Sequence, residues 1–420
     1  MANKIRNSGA SFFLAAGLFA GADLHAQSTA PAPAAAPPPT AEGFINGLKP
    51  IIDARLRYEG VDQQGFARDG EAFTLRVRAG LQTPKIAGFS LLAEAEGVMH
   101  LSDSFNDGIN GKTAYPAVSD PKGLELNRLQ IDYAGLPKTA VTVGRQRINL
   151  DNQRFIGAVG FRQNEQTFDA ARVTTSYVPN LEATYIYLNQ VNRVLGHKNA
   201  LGEFTGDTHL INAGHSIAKI GKLTGYAYLL DFNEQQVLST ATYGLRFAGK
   251  QALEGGVSVV YEAEYAKQKD YKDNPLNLSL DYWHGEAGVT WQGVTALGGV
   301  ESLSGNGVRG FSTPLATLHK FQGYADVFLT TPADGIVDWY GKLAYETPVS
   351  WGPVTAISAA AWYHGYKAER GGRDLGNEVN LEAAIRFGKQ LALLPKFADY
   401  NGVPGFASRQ KFWLALEYVY

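Results

Sequence analysis

The sequence predicts an all-β protein, a transmembrane antiparallel β-barrel of about 18 strands, and three observations predict it. Segments of roughly ten residues alternate apolar and polar side chains across residues 44–420, the period of a strand with two different faces. Every second connection between these segments is short. Aromatic residues cluster where the segments end. The first observation alone also fits a soluble sandwich, so the other two decide between the two classes.

The alternation is clearest in residues 73–81 (FTLRVRAGL), where five apolar side chains oppose Thr74, Arg76 and Arg78. The same pattern recurs at residues 53–59, 257–265, 378–387 and 411–420. The predicted short connections are 83–87, 136–138, 179–180, 220–222, 249–254, 292–293, 348–352 and 389–390, and the longest of the others are 101–123, 150–165 and 303–335. Short periplasmic turns opposite longer extracellular loops are typical of outer-membrane barrels.

Aromatic rings are expected at the level of the lipid headgroups, where an amphipathic ring meets both lipid and water. The predicted strand ends carry Tyr58, Tyr133, Tyr177, Trp291, Trp351 and Tyr420. Together with the pattern of connections, these rings favour a barrel whose apolar face points outward into lipid. Outer-membrane lipid is therefore a predicted partner.

The first residues predict export. Lys4 and Arg6 precede a short apolar core at residues 11–20, and Leu24-His25-Ala26 is a plausible cleavage site. The core is too short to span a bilayer, so residues 1–26 are predicted to be a cleaved signal peptide. Residues 27–43 read as a disordered Pro/Ala linker, and residues 44–420 as the barrel. The predicted location is the bacterial outer membrane.

Composition and motifs exclude several classes of protein. The absence of Cys excludes a disulfide scaffold, a Cys-ligated zinc and a thiol nucleophile. A net charge of −2 argues against a nucleic-acid partner. No G-x-S-x-G motif and no glycine-rich nucleotide loop occurs, so neither an enzyme nor a cofactor is predicted. His284 and Glu286 share a strand face, but that spacing suits a wet polar wall equally well, and no metal site is predicted.

A barrel of 18 strands encloses a lumen too wide for side chains to fill, which predicts an aqueous channel. The arginines are unevenly spread, since 12 of the 19 lie between Arg55 and Arg193. The alternation places Arg55, Arg57, Arg76, Arg78 and Arg128 inward, with the acids Glu94 and Glu96, while later strands carry mostly acids. An arginine-rich wall facing an acidic wall would set an ion preference.

Two interpretations of this wall remain open. A first loop centred near residue 65 places Arg55 opposite Arg76, and like charges repel unless an anion lies between them. Alternatively, a turn centred on residue 85 places Arg76 across from Glu94, giving a self-neutralising ladder. On the first interpretation, replacing both arginines lowers anion preference more than replacing Lys411, which the sequence leaves isolated beside Glu417.

Two further segments are candidates for a constriction. Arg145 and Arg147 share parity with lipid-facing Val141 and Val143, which predicts either a bulge near Gly144 or a position at the rim. The following loop either folds inward as a constriction or is an exposed basic loop. The segment 303–335 is predicted to be a lid or plug with a short turn at residues 318–324, or else a surface loop.

The chain resembles the outer-membrane alginate export family. The matching stretches are residues 56–59 (LRYE), 143–147 (VGRQR), 168–172 (FDAAR), 319–326 (HKFQGYAD), 397–400 (FADY) and 411–414 (KFWL). The resemblance implies an 18-stranded barrel, a pore selective for anionic polyuronate, and Arg57, Arg145, Arg147 and Arg172 as selectivity residues. It also implies that the barrel-assembly machinery reads the terminal Tyr420.

These observations predict a passive outer-membrane channel for anionic solutes, namely oligo- or polysaccharides or small anions. Export of alginate is the function that the resemblance implies. The alternatives are a general or nutrient-uptake porin for small anions or sugars, and a barrel enzyme or adhesin without conductance.

Overall fold

The structure is a computed structural model that describes residues 40–420. The predicted signal peptide and all but the last four residues of the predicted linker lie outside the described residues. The helix α1 (Ala41–Asn46) precedes the first strand, and the Thr40 hydroxyl accepts a hydrogen bond from Gly43 N at 3.1 Å. Within residues 40–420, no helix has the length and apolar character needed to cross a bilayer.

Eighteen strands follow, each antiparallel to its neighbours in one closed sheet. They are β1 Lys49–Gln63, β2 Gly70–Gln82, β3 Phe89–His100, β4 Gly123–Leu136, β5 Thr139–Gln146, β6 Thr167–Thr175, β7 Leu181–Asn192, β8 Glu203–Ile217, β9 Gly221–Leu230, β10 Thr240–Ala252, β11 Val257–Asp270, β12 Ser279–Trp291, β13 Val294–Leu303, β14 Ile336–Trp351, β15 Val354–Lys367, β16 Asp374–Phe387, β17 Leu391–Asn401 and β18 Arg409–Val419. The barrel closes because β1 pairs with both β2 and β18. The predicted fold class and strand number are confirmed.

The two ends of the barrel differ as predicted. One end carries short turns, of which 137–138, 292–293 and 352–353 are two residues long. The other end carries the long connections 101–122, 147–166 and 304–335. This asymmetry identifies the first end as periplasmic and the second as extracellular.

Side chains alternate between the two faces of the barrel wall. On β2, Val77 is 40% exposed on the outer face, whereas its neighbours Arg76 and Arg78 are 1% and 4% exposed on the inner face. Trp351 and Tyr420 at the periplasmic edge are more than half exposed, as expected for rings at the headgroup level. This is the arrangement of a transmembrane barrel, with apolar side chains toward lipid and charges toward the lumen.

Two long connections fold into the lumen: the first inward loop, residues 147–166, and the second inward loop, residues 304–335. Both bury apolar side chains against aromatic residues of the inner wall. Phe155 lies 5.2 Å from Tyr226 and 5.4 Å from Tyr282 between ring centroids, and Phe311 lies 5.7 Å from Tyr282. The lumen is therefore narrower than the strand count predicted. Burial of these loop side chains favours the packed arrangement over a water-filled one.

The second inward loop has the predicted form, with a short 3-10 turn at Leu318–Lys320. Its tip packs against the neighbouring part of the wall at β16, where Ala325 N donates to a Glu378 carboxylate oxygen at 2.8 Å. The tip passes through Gly323 in the left-handed region, with φ +82°, and a Cβ there would lie 2.4 Å from the Glu378 carboxylate. A glycine is needed at this close approach.

We expect deletion of residues 308–330 to raise single-channel conductance while leaving the barrel folded. Gly307 N donates to Ala333 O at 2.9 Å, so the two sides of the deletion already lie close together. Water entering the vacated lumen would solvate the charges that the loop now covers. Planar-bilayer recording measures the conductance, and heat resistance in detergent checks assembly. A variant that assembles normally and conducts like the parent would show that the loop does not obstruct the path.

Candidate functional site

The predicted pairing of Arg55 with Arg76 is confirmed, since the two residues are direct partners in the β1–β2 register. Each guanidinium also has an acid partner. Arg76 forms an ion pair with Asp53, and Arg55 Nε lies 2.5 Å from a Glu417 carboxylate oxygen. Nε and Nη1 of Arg76 have no hydrogen-bond acceptor among the described residues. Arg76 therefore keeps two donors without an acceptor, even though Asp53 and Glu417 largely balance the charges of the two arginines.

The neighbouring residue pairs across β2, β3 and β4 form a self-neutralising charge ladder, which was the second interpretation of this wall. Arg78 Nε lies 2.5 Å from Glu96, and Arg128 makes two hydrogen bonds to Glu94, at 2.8 and 2.7 Å. The predicted pairing of Arg76 with Glu94 is wrong, because Arg76 lies opposite Val98. The β2–β3 connection extends to residue 88, so the centre of the hairpin lies about two residues later than predicted.

The first inward loop is held against the wall by arginines. Its Phe161 carbonyl accepts from Arg57 Nη1 at 2.5 Å and from Arg55 Nη1 at 2.9 Å, and its Gly160 carbonyl accepts from Arg55 Nη2 at 3.0 Å. Arg57 also forms an ion pair with Asp120, from the connection 101–122. These two arginines therefore position a loop, a role that sequence reasoning did not assign to them.

A buried ion network, the anchor network, joins the two inward loops to the wall and consists of Glu59, Arg162, Asp326 and Lys411. Asp326 receives Arg162 Nη2 at 2.9 Å and Lys411 Nζ at 2.7 Å. Arg162 also lies 3.3 Å from Glu59, a β1 residue that is fully buried. Although burial opposes ionisation, His319, Lys411 and Arg162 hold the pKa of Asp326 well below its ordinary value.

This network corrects the prediction for Lys411. The lysine is 3% exposed and bound to Asp326, whereas Glu417 pairs with Arg55. Two positions of the same parity on β18 therefore serve different partners, because the second inward loop reaches Lys411 from a distant part of the chain. Replacing Lys411 would disturb the loop, so it is unsuitable as a neutral control.

The two inward loops also contact each other directly. The Phe161 ring stacks on His319 with centroids 3.4 Å apart, and Gly157 N donates to Leu315 O at 2.8 Å. Lys320 Nζ donates to Asn152 O at 3.0 Å. Burial lowers the pKa of Lys320 to about 8, in spite of the opposing charge of Glu262. The contact between the two inward loops thus contains a lysine that loses its proton just above neutral pH.

The predicted bulge near Gly144 does not occur, because β5 pairs with both β4 and β6 without a register shift at Gly144. Gly144 has φ +116°, and a Cβ there would lie 2.3 Å from Leu129 O, so the turn of the chain requires glycine. Arg147 enters the lumen and binds Glu165 through two hydrogen bonds, at 2.7 and 2.5 Å. Although burial alone would raise it, Arg78 and Arg147 lower the pKa of Glu165 to about 2.

Arg145 differs from the expectation that it lines the pore. It lies at the extracellular rim, in register with lipid-facing Leu129, and makes two hydrogen bonds to Asp169 at 2.7 and 2.9 Å. Of the two alternatives that the sequence left open, the rim position is found and the bulge is not. Charge pairing with Asp169 explains how an outward arginine is tolerated there.

Arg172 is the predicted site arginine that forms no ion pair with the described residues, although the Thr142 hydroxyl beside it donates to Asp132 at 2.7 Å. It lies on the inner wall beside Thr142, whose hydroxyl accepts from Arg172 Nη2 at 3.4 Å. No carboxylate oxygen of the described residues lies within 4.0 Å of the Arg172 guanidinium, the limit for an ion pair. Each of the other predicted arginines has such a partner, namely Arg55, Arg57, Arg76, Arg78, Arg128, Arg145 and Arg147. Arg172 can therefore attract an anion from the lumen.

The opposite wall is acidic, as predicted. His284 Nε2 and the Tyr340 hydroxyl lie 2.8 Å apart, and Tyr340 donates to Glu286 at 2.7 Å. Ligand atoms of Glu262, Glu264 and His284 lie within 4.8 Å of one another, a spacing that could hold a metal ion. However, Arg246 already binds Glu262 through two hydrogen bonds, at 2.9 and 2.5 Å. A guanidinium thus takes the place that a cation would need.

Comparison with known proteins supports the fold. No family model matches the sequence, and the search of curated proteins found no match. Solved structures do match: OccK9 (OpdG) of Pseudomonas aeruginosa has a TM-score of 0.71 at 16% identity, covering 90% of this chain and 99% of that one. OccAB4 of Acinetobacter baumannii has a TM-score of 0.69 at 14% identity, covering 89% and 98%. OpdK of P. aeruginosa, solved with vanillate, has a TM-score of 0.68 at 12% identity, covering 90% and 100%. These neighbours are outer-membrane porins, and the chain shares their fold.

Proposed function

We propose that this protein is a passive outer-membrane channel for the uptake of small anionic solutes. The observation that carries the proposal is Arg172, a lumen-facing guanidinium that forms no ion pair with the described residues. A guanidinium presents paired donors that match a carboxylate. An anion entering the lumen could bind this guanidinium, while most other charges on the wall are already paired.

The inward loops favour a small solute over a polymer. They are tied to the wall and to each other by the anchor network and by backbone hydrogen bonds such as Gly157 N to Leu315 O. An extended polyuronate chain would have to displace both loops. The uptake porin that the sequence kept as an alternative is therefore favoured over export of alginate. The vanillate of the OpdK structure is a small carboxylate, in keeping with this size class.

Water reaches the wall on the periplasmic side of the loops. The side chains of Asp53 and Glu417, which pair with Arg76 and Arg55, are 22% and 25% exposed. The inner wall is thus hydrated there, as a path for ions requires. The opposed basic and acidic walls would orient a charged solute across that path.

Replacing Arg172 with Gln should lower the anion-to-cation permeability ratio by a factor of about two to five. One screened charge on the wall contributes about 0.5–1 kcal/mol to the interaction with a passing anion, which corresponds to that factor. The reversal potential in a salt gradient across a planar bilayer measures the ratio. The matched control is Lys389→Gln in the periplasmic turn, which removes the same charge outside the lumen. Equal reversal potentials for Arg172→Gln and the control would refute the assigned role of Arg172.

Anion preference should fall as the pH rises from 7 to 9. Since burial lowers the pKa of Lys320 to about 8, this lysine is protonated below that pH and loses its positive charge above it. The Lys320→Met variant removes the charge at every pH. Its reversal potential should therefore lack the step near pH 8 that the parent shows. A parent profile that is flat over this range would contradict the prediction.

A further inference from the structure

The outer face of the barrel carries a cavity at the extracellular rim. Its volume is about 210 Å³, and its lining includes Leu124, Glu125, Leu126, Arg145, His197 and Glu203. The cavity lies outside the lumen, because Leu124 is 76% exposed and Leu126 is 46% exposed on the lipid-facing side of β4. Nothing in the proposed channel function uses this cavity.

One side of the cavity is apolar and continues the lipid-facing surface. Leu124 and Leu126 lie above Leu129 and Ile131 along β4, and all four are exposed on the outer face. The cavity thus lies where the hydrocarbon of the outer leaflet ends and its headgroups begin. Its lower edge would contact acyl chains, and its upper edge would contact sugars.

The other side of the cavity offers fixed hydrogen-bonding groups. Glu125 accepts from His197 N at 3.0 Å and contacts His197 Nδ1 at 2.8 Å, which fixes the loop 193–202 over the rim. Arg145 is oriented by Asp169 and by the Leu126 carbonyl, to which it donates at 3.2 Å. Glu203 is exposed and forms no ion pair with the described residues. A carboxylate acceptor and a guanidinium therefore face one another over an aliphatic floor.

We propose that this cavity binds a sugar ring in the head of an outer-leaflet glycolipid. Carboxylates accept hydrogen bonds from sugar hydroxyls, guanidinium groups donate to them, and aliphatic side chains pack against the C–H face of the ring. A phosphate is disfavoured, because Asp169 neutralises Arg145 and the remaining charges at the cavity include Glu125 and Glu203. The height of the cavity favours a glycolipid as its occupant, since sugars attached to lipid surround the barrel at this level.

The test is native mass spectrometry of the full-length protein extracted from outer membranes in mild detergent. The variants are Leu126→Trp, which fills the cavity, and Glu203→Gln, which removes the free carboxylate. Each should retain about tenfold less glycolipid than the parent, as expected for the loss of one good polar or packing contact. Conductance should be unchanged in both, because neither residue faces the lumen.

Two control variants match the chemistry at other places. Leu414→Trp enlarges a side chain of similar exposure, 41%, on the lipid face of β18, and Glu254→Gln removes a carboxylate at the periplasmic end. Both should retain glycolipid like the parent. Equal retention in all four variants would overturn the proposal, as would a parent that carries only phospholipid. Heat resistance in detergent excludes misfolding as the cause of a loss.

Discussion

The shape of the lumen depends on the ion network around Asp326. This one carboxylate receives a lysine from the last strand and an arginine from the first inward loop, and that arginine also reaches Glu59 on the first strand. Removing one partner from a buried ion cluster typically costs about 3–5 kcal/mol, because the remaining charges stay buried without compensation. The inward loops therefore have one strongly preferred arrangement, and the space left to a solute is fixed with them.

The arginines of the wall consequently serve two purposes. Arg55 and Arg57 donate to loop carbonyls, and Arg78 and Arg128 balance buried acids. Their charges position the loops and neutralise the wall more than they attract a solute. Of the predicted site arginines, Arg172 is the one that remains for a solute, since it forms no ion pair with the described residues. A count of basic residues on the inner face thus overstates the electropositive character of the path.

The fold could be predicted from the sequence because its determinants are local. Alternation assigns each strand residue to a face, and a loop centred near residue 65 correctly pairs Arg55 with Arg76. An error of two residues in the next turn was enough to misplace Arg76 against Glu94. The alternatives for Arg145 were also local, and one of them, the rim position, was found.

The arrangement of the loops could not be predicted, because it depends on contacts between distant residues. Arg154 of the first inward loop binds Glu301 on β13 at 2.6 Å, and Lys411 binds Asp326 from 85 residues away. No spacing in the sequence signals such pairs. The one available signal was composition, since both inward loops combine large apolar residues with charged residues in long segments between strands.

Closure of the barrel has a consequence for the order of assembly. Glu59 lies on the first strand and Lys411 on the last, so their shared cluster with Asp326 can form only after those two strands have met. Insertion of the wall must therefore precede consolidation of the interior. A newly closed barrel passes through a stage in which its interior segments are still free, and during that stage it leaks more than the mature protein does.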